Sequence, residues 1–283
     1  MAQYGKSFTY DGISSEDFHL VLAGLSIPDT DLGLSRSTEK STINKYRKQV
    51  NVFGTTYDDV LTFTIVLIKD PCTYTDMNDL KFSRQDIREI SAWLTSPQFP
   101  KLFHMYNYAN QTDENSIPLN GWEEYDYFGV FTNVQATDDN IYSLSCDFEC
   151  NTPFALSPLQ TVTIQDEGVV TNESDDHYDY VYPYLIVTPT SADQVTIKNN
   201  SDLDLNGSAH YMQFTAPDTN SIYIDCRKNT IENDSGALEF SDLGIDTLDY
   251  IYWFRLLYGD NNITVNNAEV TFLFRYPVKV GAY

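Results

Sequence analysis

The sequence predicts a mainly β protein in two parts: a β-rich first half carrying one α-helix, then an antiparallel β-sandwich or barrel. Three observations carry this. Tyr (21) and Phe (16) are abundant, and Thr, Ile and Val recur, all residues that suit a pleated, half-buried surface. Apolar and polar residues alternate with a period of two in many short runs. Against that background, the segment after Ser83 repeats its apolar residues at helical spacing and carries its own cap.

The chain has 283 residues, long for a single core and ample for two domains. Pro153 and Pro158 interrupt the pattern, and helical periodicity is lost beyond them. The division is therefore expected at 1–155 and 156–283.

In chain order, "SFTYDGISSEDFHLVL" reads as a strand, a turn at Asp11-Gly12 and a second extended segment. Residues 36–52 hold Arg36, Lys40, Lys45, Arg47 and Lys48, a basic cluster in an acidic chain. "VLTFTIVLI" places Leu61, Phe63, Ile65 and Leu67 on one strand face, with Thr62 and Thr64 opposite. Val66 and Ile68 make its far end apolar on both sides. The helix starts at an N-cap, Ser83, with Asp86 in position to complete a capping box. It buries Ile87, Ile90, Trp93 and Leu94, shows Arg84, Arg88 and Glu89 to water, and stops at Ser96-Pro97. "PKLFHMYNY" and "YDYFGVFTNVQA" follow as strands.

"LSCDFEC" alternates strictly, so Cys146 and Cys150 share a face, with Asp147 and Glu149 in solvent on the other. At strand rise their Cα atoms lie about 13 Å apart, too far for a disulfide or a shared metal. Cys72 and Cys226 are isolated, so all four are read as reduced thiols.

Beyond Pro158 come "TVTIQ", "YPYLIVT", "QVTIKN", "YMQFT", "SIYIDC", "DYIYWFRLLY", "NITV" and "EVTFLFRY", each read as a strand. "ESDDHYDY" is read as an exposed acidic loop, and "LLYGDNNITV" as a tight strand–turn–strand unit.

The net charge is −24. It repels phosphate, which argues against adhesion to nucleic acid or to an anionic membrane. No basic and apolar leader is visible at the start, and no apolar run reaches the ~20 residues of a membrane span. Six Asn-x-Ser/Thr sequons, at Asn110, Asn172, Asn199, Asn206, Asn233 and Asn262, are read as Asn-rich turns.

Catalytic patterns are not found. His19, His104, His177 and His210 are scattered, and no phosphate loop, nucleophile elbow or zinc helix appears. His104 is read as structural. "DLDLNG" (202–207) lacks the order of an EF-hand loop and is read as a solvated turn, with loosely held calcium as the alternative. No cofactor and no metal are expected.

Several stretches, in order, resemble the distal tail protein family of long-tailed bacteriophages. They are "FTYDGISSEDFHLVL", "LTFTIVLI" followed by "SRQDIREISAWL", "YSLSCDFECNTPFALSP", then "YPYLIV", "VTIKN", "IYIDC", "YWFRLLYGDNNITV" and "FLFRYP". Residues 106–135 and 166–180 have no counterpart in that pattern and are expected to be acidic inserts.

The resemblance implies a structural virion protein of the tail tip, made in the host cytoplasm, and not an enzyme. It implies a homo-hexameric hub ring at the distal end of the tail. The N-terminal domain would build the ring, and a galectin-like β-sandwich would project outward. The tail tube protein would dock on one face and the tail-tip protein on the other, with receptor-binding proteins at the edge. DNA would pass through the bore without specific binding, and nothing would insert in a membrane. Arg36, Lys40, Lys45, Arg47 and Lys48 are the expected inter-subunit contact, on a β-hairpin that crosses a subunit or tube boundary.

The alternative is a carbohydrate-binding protein for the host receptor. Such a site needs an exposed aromatic platform, and of Trp93, Trp122 and Trp253 only Trp122 falls in a loop. A glycoside hydrolase would need two essential carboxylates, and no pair stands out among 41 acidic residues.

Overall fold

The computed structural model describes residues 7–26, 36–41, 50–74, 76–105, 125–137, 141–245 and 251–279. The chain divides into two compact units, Met1–Leu156 with Lys279–Tyr283, and Ser157–Val278.

The first unit contains β1 (Phe8–Tyr10), β2 (Ile13–Ser14), β3 (Leu20–Ser26), β4 (Arg36–Lys40), β5 (Val52–Tyr57), β6 (Thr62–Lys69), α1 (Arg84–Thr95), β7 (Lys101–Met105), β8 (Asp126–Ala136), β9 (Ser143–Cys150) and β10 (Ala155–Leu156). Its main sheet runs β2-β1-β7-β8-β9-β6-β3, and β10 also pairs with β8. The pairings along that path are antiparallel. β4 and β5 stand apart as a two-stranded ribbon.

The turn between β1 and β2 has positive φ at both Asp11 (52°) and Gly12 (78°). That backbone matches the twist of a tight hairpin, and Asp-Gly is the pair that tolerates it. The core is aromatic. Phe148 packs against Phe131 at 4.9 Å, Phe63 at 5.1 Å and Phe103 at 5.1 Å between ring centroids. Gly129 on β8 makes room for this. A Cβ there would lie 2.2 Å from the Glu149 carbonyl and 2.7 Å from the Phe148 ring.

α1 forms where its cap and spacing place it. Ser83 Oγ accepts from Asp86 N at 3.1 Å, and Asp86 Oδ2 accepts from Ser83 N at 2.8 Å. Ile90, Trp93 and Leu94 are buried. Trp93 is stacked on Phe8 at 5.6 Å and on Phe18 at 4.7 Å.

The strand with the paired cysteines is β9. Cys146 and Cys150 are buried on its core face. Asp147 is not simply solvated: it accepts from Thr64 Oγ1 at 2.7 Å and Asn133 Nδ2 at 3.1 Å. Val66 and Ile68 are half-buried.

The second unit contains β11 (Gln160–Ile164), β12 (Glu167–Asn172), β13 (Tyr184–Pro189), β14 (Gln194–Leu203), β15 (Ala209–Thr215), β16 (Ile222–Asp225), β17 (Thr230–Asn233), β18 (Gly236–Ala237), β19 (Gly259–Asn266) and β20 (Ala268–Phe274). They form two antiparallel sheets, β11-β20-β13-β16-β17-β18 and β12-β19-β14-β15. Both sheets contribute to one apolar core, including Leu185, Val187, Ile197, Phe214, Ile224, Val265 and Phe272. The protein is thus mainly β, with the second unit a sandwich.

Four expectations are corrected here. Residues 126–135 and 167–172 are not inserts: they are β8, inside the main sheet, and β12, in the sandwich. Their alternating apolar residues are the cause, since Tyr127, Phe131 and Val170 are buried. Residues 106–124 lie outside the described residues.

"DYIYWFRLLY" is not a strand over residues 251–255, although Phe254 and Leu256 are fully buried; Leu256 makes only an isolated bridge to Val181. Buried asparagines take the place of a ladder. Asn199 Nδ2 donates to the Arg255 carbonyl at 3.3 Å, and Asn172 Nδ2 to the Leu256 carbonyl at 3.2 Å. Asn261 accepts from Leu257 N and donates to Leu257 O, both at 2.9 Å. So "LLYGDNNITV" is no hairpin: β19 begins at Gly259 and runs between β12 and β14.

The sequons are not all turns either. Asn172, Asn199, Asn233 and Asn262 sit on strands, and the first two are fully buried. Asn206 is in a turn, and Asn110 lies outside the described residues.

Candidate assembly interface

The ribbon β4–β5 forms a sheet of its own and buries little of its surface. Its register pairs Arg36 with Tyr57, Thr38 with Thr55 and Lys40 with Val52, with a bulge between Glu39 and Lys40. Every residue is exposed except Tyr57. Val52 is 59% and Phe53 66% exposed. A lone two-stranded ribbon is marginal in water, and exposed apolar residues on it point to a missing contact.

Arg36 and Lys40 share one face of β4 by strand alternation. Arg36 Nη2 donates to Thr55 Oγ1, and its guanidinium lies 5.0 Å above the Tyr57 ring. Tyr57 meets Phe154 edge-on at 5.5 Å, which ties the base of the ribbon to its unit. Lys40 is exposed at the far end. Lys45, Arg47 and Lys48 lie outside the described residues.

The groups with possible chemistry are engaged in structure. His104 Nδ1 lies 2.6 Å from Asp126 Oδ1, joining β7 to β8. Asp202, at the head of the 202–207 turn, accepts from Arg255 Nε at 2.7 Å and Nη2 at 3.1 Å. Tyr252 donates its hydroxyl to the same carboxylate. Burial works to raise the Asp202 pKa, but the Arg255 and Tyr252 hydrogen bonds outweigh it and hold the carboxyl below the usual range. Asp204 accepts from Asn206 N and Ser208 N, each at 2.8 Å. The 202–207 carboxylates are therefore committed to Arg255 and to the turn's own backbone. Among the described residues, no group of three His, Cys, Asp or Glu side chains is placed to hold a metal ion.

The Arg255 guanidinium also lies 4.2 Å over Tyr180, and His210 stacks on Tyr252 at 4.8 Å. Sequence reasoning missed this network. Its one signal was an arginine inside an otherwise apolar run. Trp93 is buried under α1, Trp253 is half-buried against the sandwich core, and Trp122 lies outside the described residues.

Residues 3–152 match a family model described as the phage tail protein N-terminal domain. No curated protein matches the chain. Among solved structures, the chain is similar to the Dit protein of phage SPP1, described as a paradigm of the hub adsorption apparatus in phages that infect Gram-positive bacteria. That likeness has a TM-score of 0.60 at 14% identity and covers 96% of this chain and 99% of that one. It is also similar to a chain of the phage p2 baseplate in its activated conformation with Sr, at a TM-score of 0.54 and 10% identity over 98% of this chain and 99% of that one. The same baseplate with Ca gives 0.50 at 10% identity, with the same coverage. At these identities the likeness shows a shared fold. The family match spans more than half of the chain and agrees with that fold, and so the chain belongs to this family of phage tail proteins, components of the virion tail.

Proposed function

We propose that the protein is a structural hub of the tail tip and not an enzyme: a homo-hexameric ring between the tail tube and the tail-tip protein. The observation that carries this is the full-length fold likeness to a hub protein and to a baseplate chain. Residues 1–155 build the ring in this reading. Residues 156–283 form a galectin-like sandwich that projects outward and can carry receptor-binding proteins. DNA passes through the bore, where a chain of net charge −24 repels phosphate.

The β4–β5 ribbon supports the reading, because it presents Arg36, Lys40, Val52 and Phe53 to a neighbour. With Lys45, Arg47 and Lys48 it supplies the counter-charge for an acidic partner. A closed ring needs head-to-tail contacts of this kind. Sizing with electron microscopy of the purified chain tests it, and a ring of hexameric symmetry is the expected result. A chain that stays monomeric, both alone and mixed with tail tube protein, overturns it. Charge reversal at Arg36, Lys45 and Arg47 should weaken the ring and make it more sensitive to salt.

A further inference from the structure

The sandwich carries a row of tyrosines on one outer face. The run "YVYPYL" sets Tyr180, Tyr182 and Tyr184 at every second position, between the buried Val181, Pro183 and Leu185. This alternation turns the three rings outward, where they are 38%, 43% and 37% exposed. The row spans about 13 Å of extended chain and runs into β13. Tyr223, on the neighbouring β16, widens it: its ring centroid lies 6.5 Å from that of Tyr184, with the planes 23° apart. β13 is paired on both sides, by β16 and β20. The row therefore has a rigid support, and β13 leaves no edge open for an added strand.

Hydrogen-bonding groups flank the row. At one end the Arg255 guanidinium lies 4.2 Å over Tyr180. Asp202 holds its Nε and Nη2, and its Nη1 has no hydrogen-bond partner among the described residues. At the other end the Tyr223 hydroxyl donates to Asp234 Oδ1 at 2.9 Å. Glu232, paired with Tyr223 across β16 and β17, is exposed beside it. A donor and acceptors thus bracket four tyrosine rings. That set suits a ligand with C–H faces and a rim of hydroxyls. It does not suit an anion, since Asp202 already balances Arg255 and the exposed Glu232 and Asp234 add negative charge.

We propose that this face binds an uncharged glycan laid along β13, its pyranose rings on Tyr180, Tyr182, Tyr184 and Tyr223 and its hydroxyls on Arg255 and Glu232. The negative face of a tyrosine ring attracts the polarised C–H bonds of a pyranose. Arg255 is clamped by Asp202 before the ligand arrives, so little side-chain freedom is lost on binding. Tyrosines supply the aromatic platform that the tryptophans do not. The site lies within the sandwich of one copy, so it is independent of ring formation and of the hub reading.

The full chain on an array of neutral oligosaccharides (glucans, mannans, galactans and chitin oligomers) tests this, with uronic-acid and phosphate-bearing chains as the anionic arm and a proline-rich peptide as the protein arm. Calorimetry then measures any bound chain. The expected result is binding to a neutral chain, weakened about tenfold or more by Tyr182→Ala and by Tyr184→Ala. Phe99→Ala, at an exposed ring of the first unit, should leave it unchanged. Both tyrosines are exposed, so thermal melts of these variants should match the parent, and Tyr184→Phe, which keeps the ring, should retain most of the affinity. Binding that survives both alanine changes overturns the site. Binding confined to the anionic chains or to the peptide overturns the ligand chemistry. Silence from the whole array overturns the proposal, and a ring seen by electron microscopy in that case leaves the hub reading standing.

Discussion

Trp93 in α1 donates its indole N–H to the backbone carbonyl of Tyr10 in β1 at 3.2 Å. The same ring is stacked between Phe8 and Phe18. One side chain thus joins the helix to an edge-proximal strand by both hydrogen bonding and packing. Trp93→Ala is expected to cost about 3–5 kcal/mol, as for other large-to-small core changes. Trp93→Phe keeps most of the stacking and loses the hydrogen bond, so it should cost less. Urea unfolding followed by near-ultraviolet circular dichroism checks both.

Arg255 and Asp202 pair bidentately with the carboxylate nearly buried, at 5% side-chain exposure. Removing the cation strands the anion. Arg255→Leu is expected to destabilise the protein by about 3 kcal/mol or more, whereas changing both residues to apolar ones should cost much less. A double-mutant cycle measured by urea unfolding tests this.

Asp202 also predicts a direction with pH. Its folded pKa lies below the ordinary carboxylate value. Its stabilisation is therefore complete above about pH 4 and is lost as pH falls through the lowered folded value. Asp202→Asn should flatten the acid limb of the stability curve in that window and leave the slope above pH 6 unchanged. Thermal melts across a pH series read this out.

Burial pushes the thiols of Cys146, Cys150 and Cys226 up to about 12, while Cys72 is exposed. The native chain is expected to release one equivalent of thiol to a disulfide reagent at pH 8, and four after unfolding. A native count above one would mean that a core face opens readily, at β9 or beside Cys226 in the sandwich.

Asn261 is fully buried and also donates to the carbonyls of Val170 at 3.3 Å and Gly259 at 3.1 Å. Asn261→Ala leaves several buried backbone groups without a partner, each worth about 1–3 kcal/mol. It should destabilise the protein more than Asn200→Ala, whose side chain is exposed and donates to Thr264 Oγ1. Hydrogen exchange at Leu257 localises the effect.

The parts of the fold legible in the sequence are those whose cause is local. The Ser83/Asp86 box lies within one helical turn. The Asp11-Gly12 turn needs only the backbone freedom of its own two residues. The alternation in "LSCDFEC" and "LTFTIVL" states which face is buried. What was not legible depends on distant side chains. Residues 251–257 look like a strand because their apolar residues fill a core, but the groups that satisfy their backbone come from Asn172, Asn199 and Asn261 on three other strands. The Asp202–Arg255 pair was hidden in the same way, since the carboxylate alone reads as part of a polar turn. Of the basic cluster, sequence found Arg36 and Lys40 but not the exposed Val52 and Phe53 across the ribbon, because a short apolar pair has no period to read.

The buried asparagine belt also bears on how the protein ages. Deamidation requires the carboxamide to swing onto the next residue's backbone nitrogen and form a cyclic imide. Asn172 holds its amide on Leu256 O and its oxygen on Ser174 N, and Asn199 is held by Arg255 O and Ser201 N. Neither is free to swing. Asn206 is exposed and followed by a glycine with φ of +81°, and its side chain bonds Asp204 within the same surface turn and not a buried backbone carbonyl. Chemical wear during long storage of a particle would then begin at that turn and spare the belt that keeps the sandwich closed.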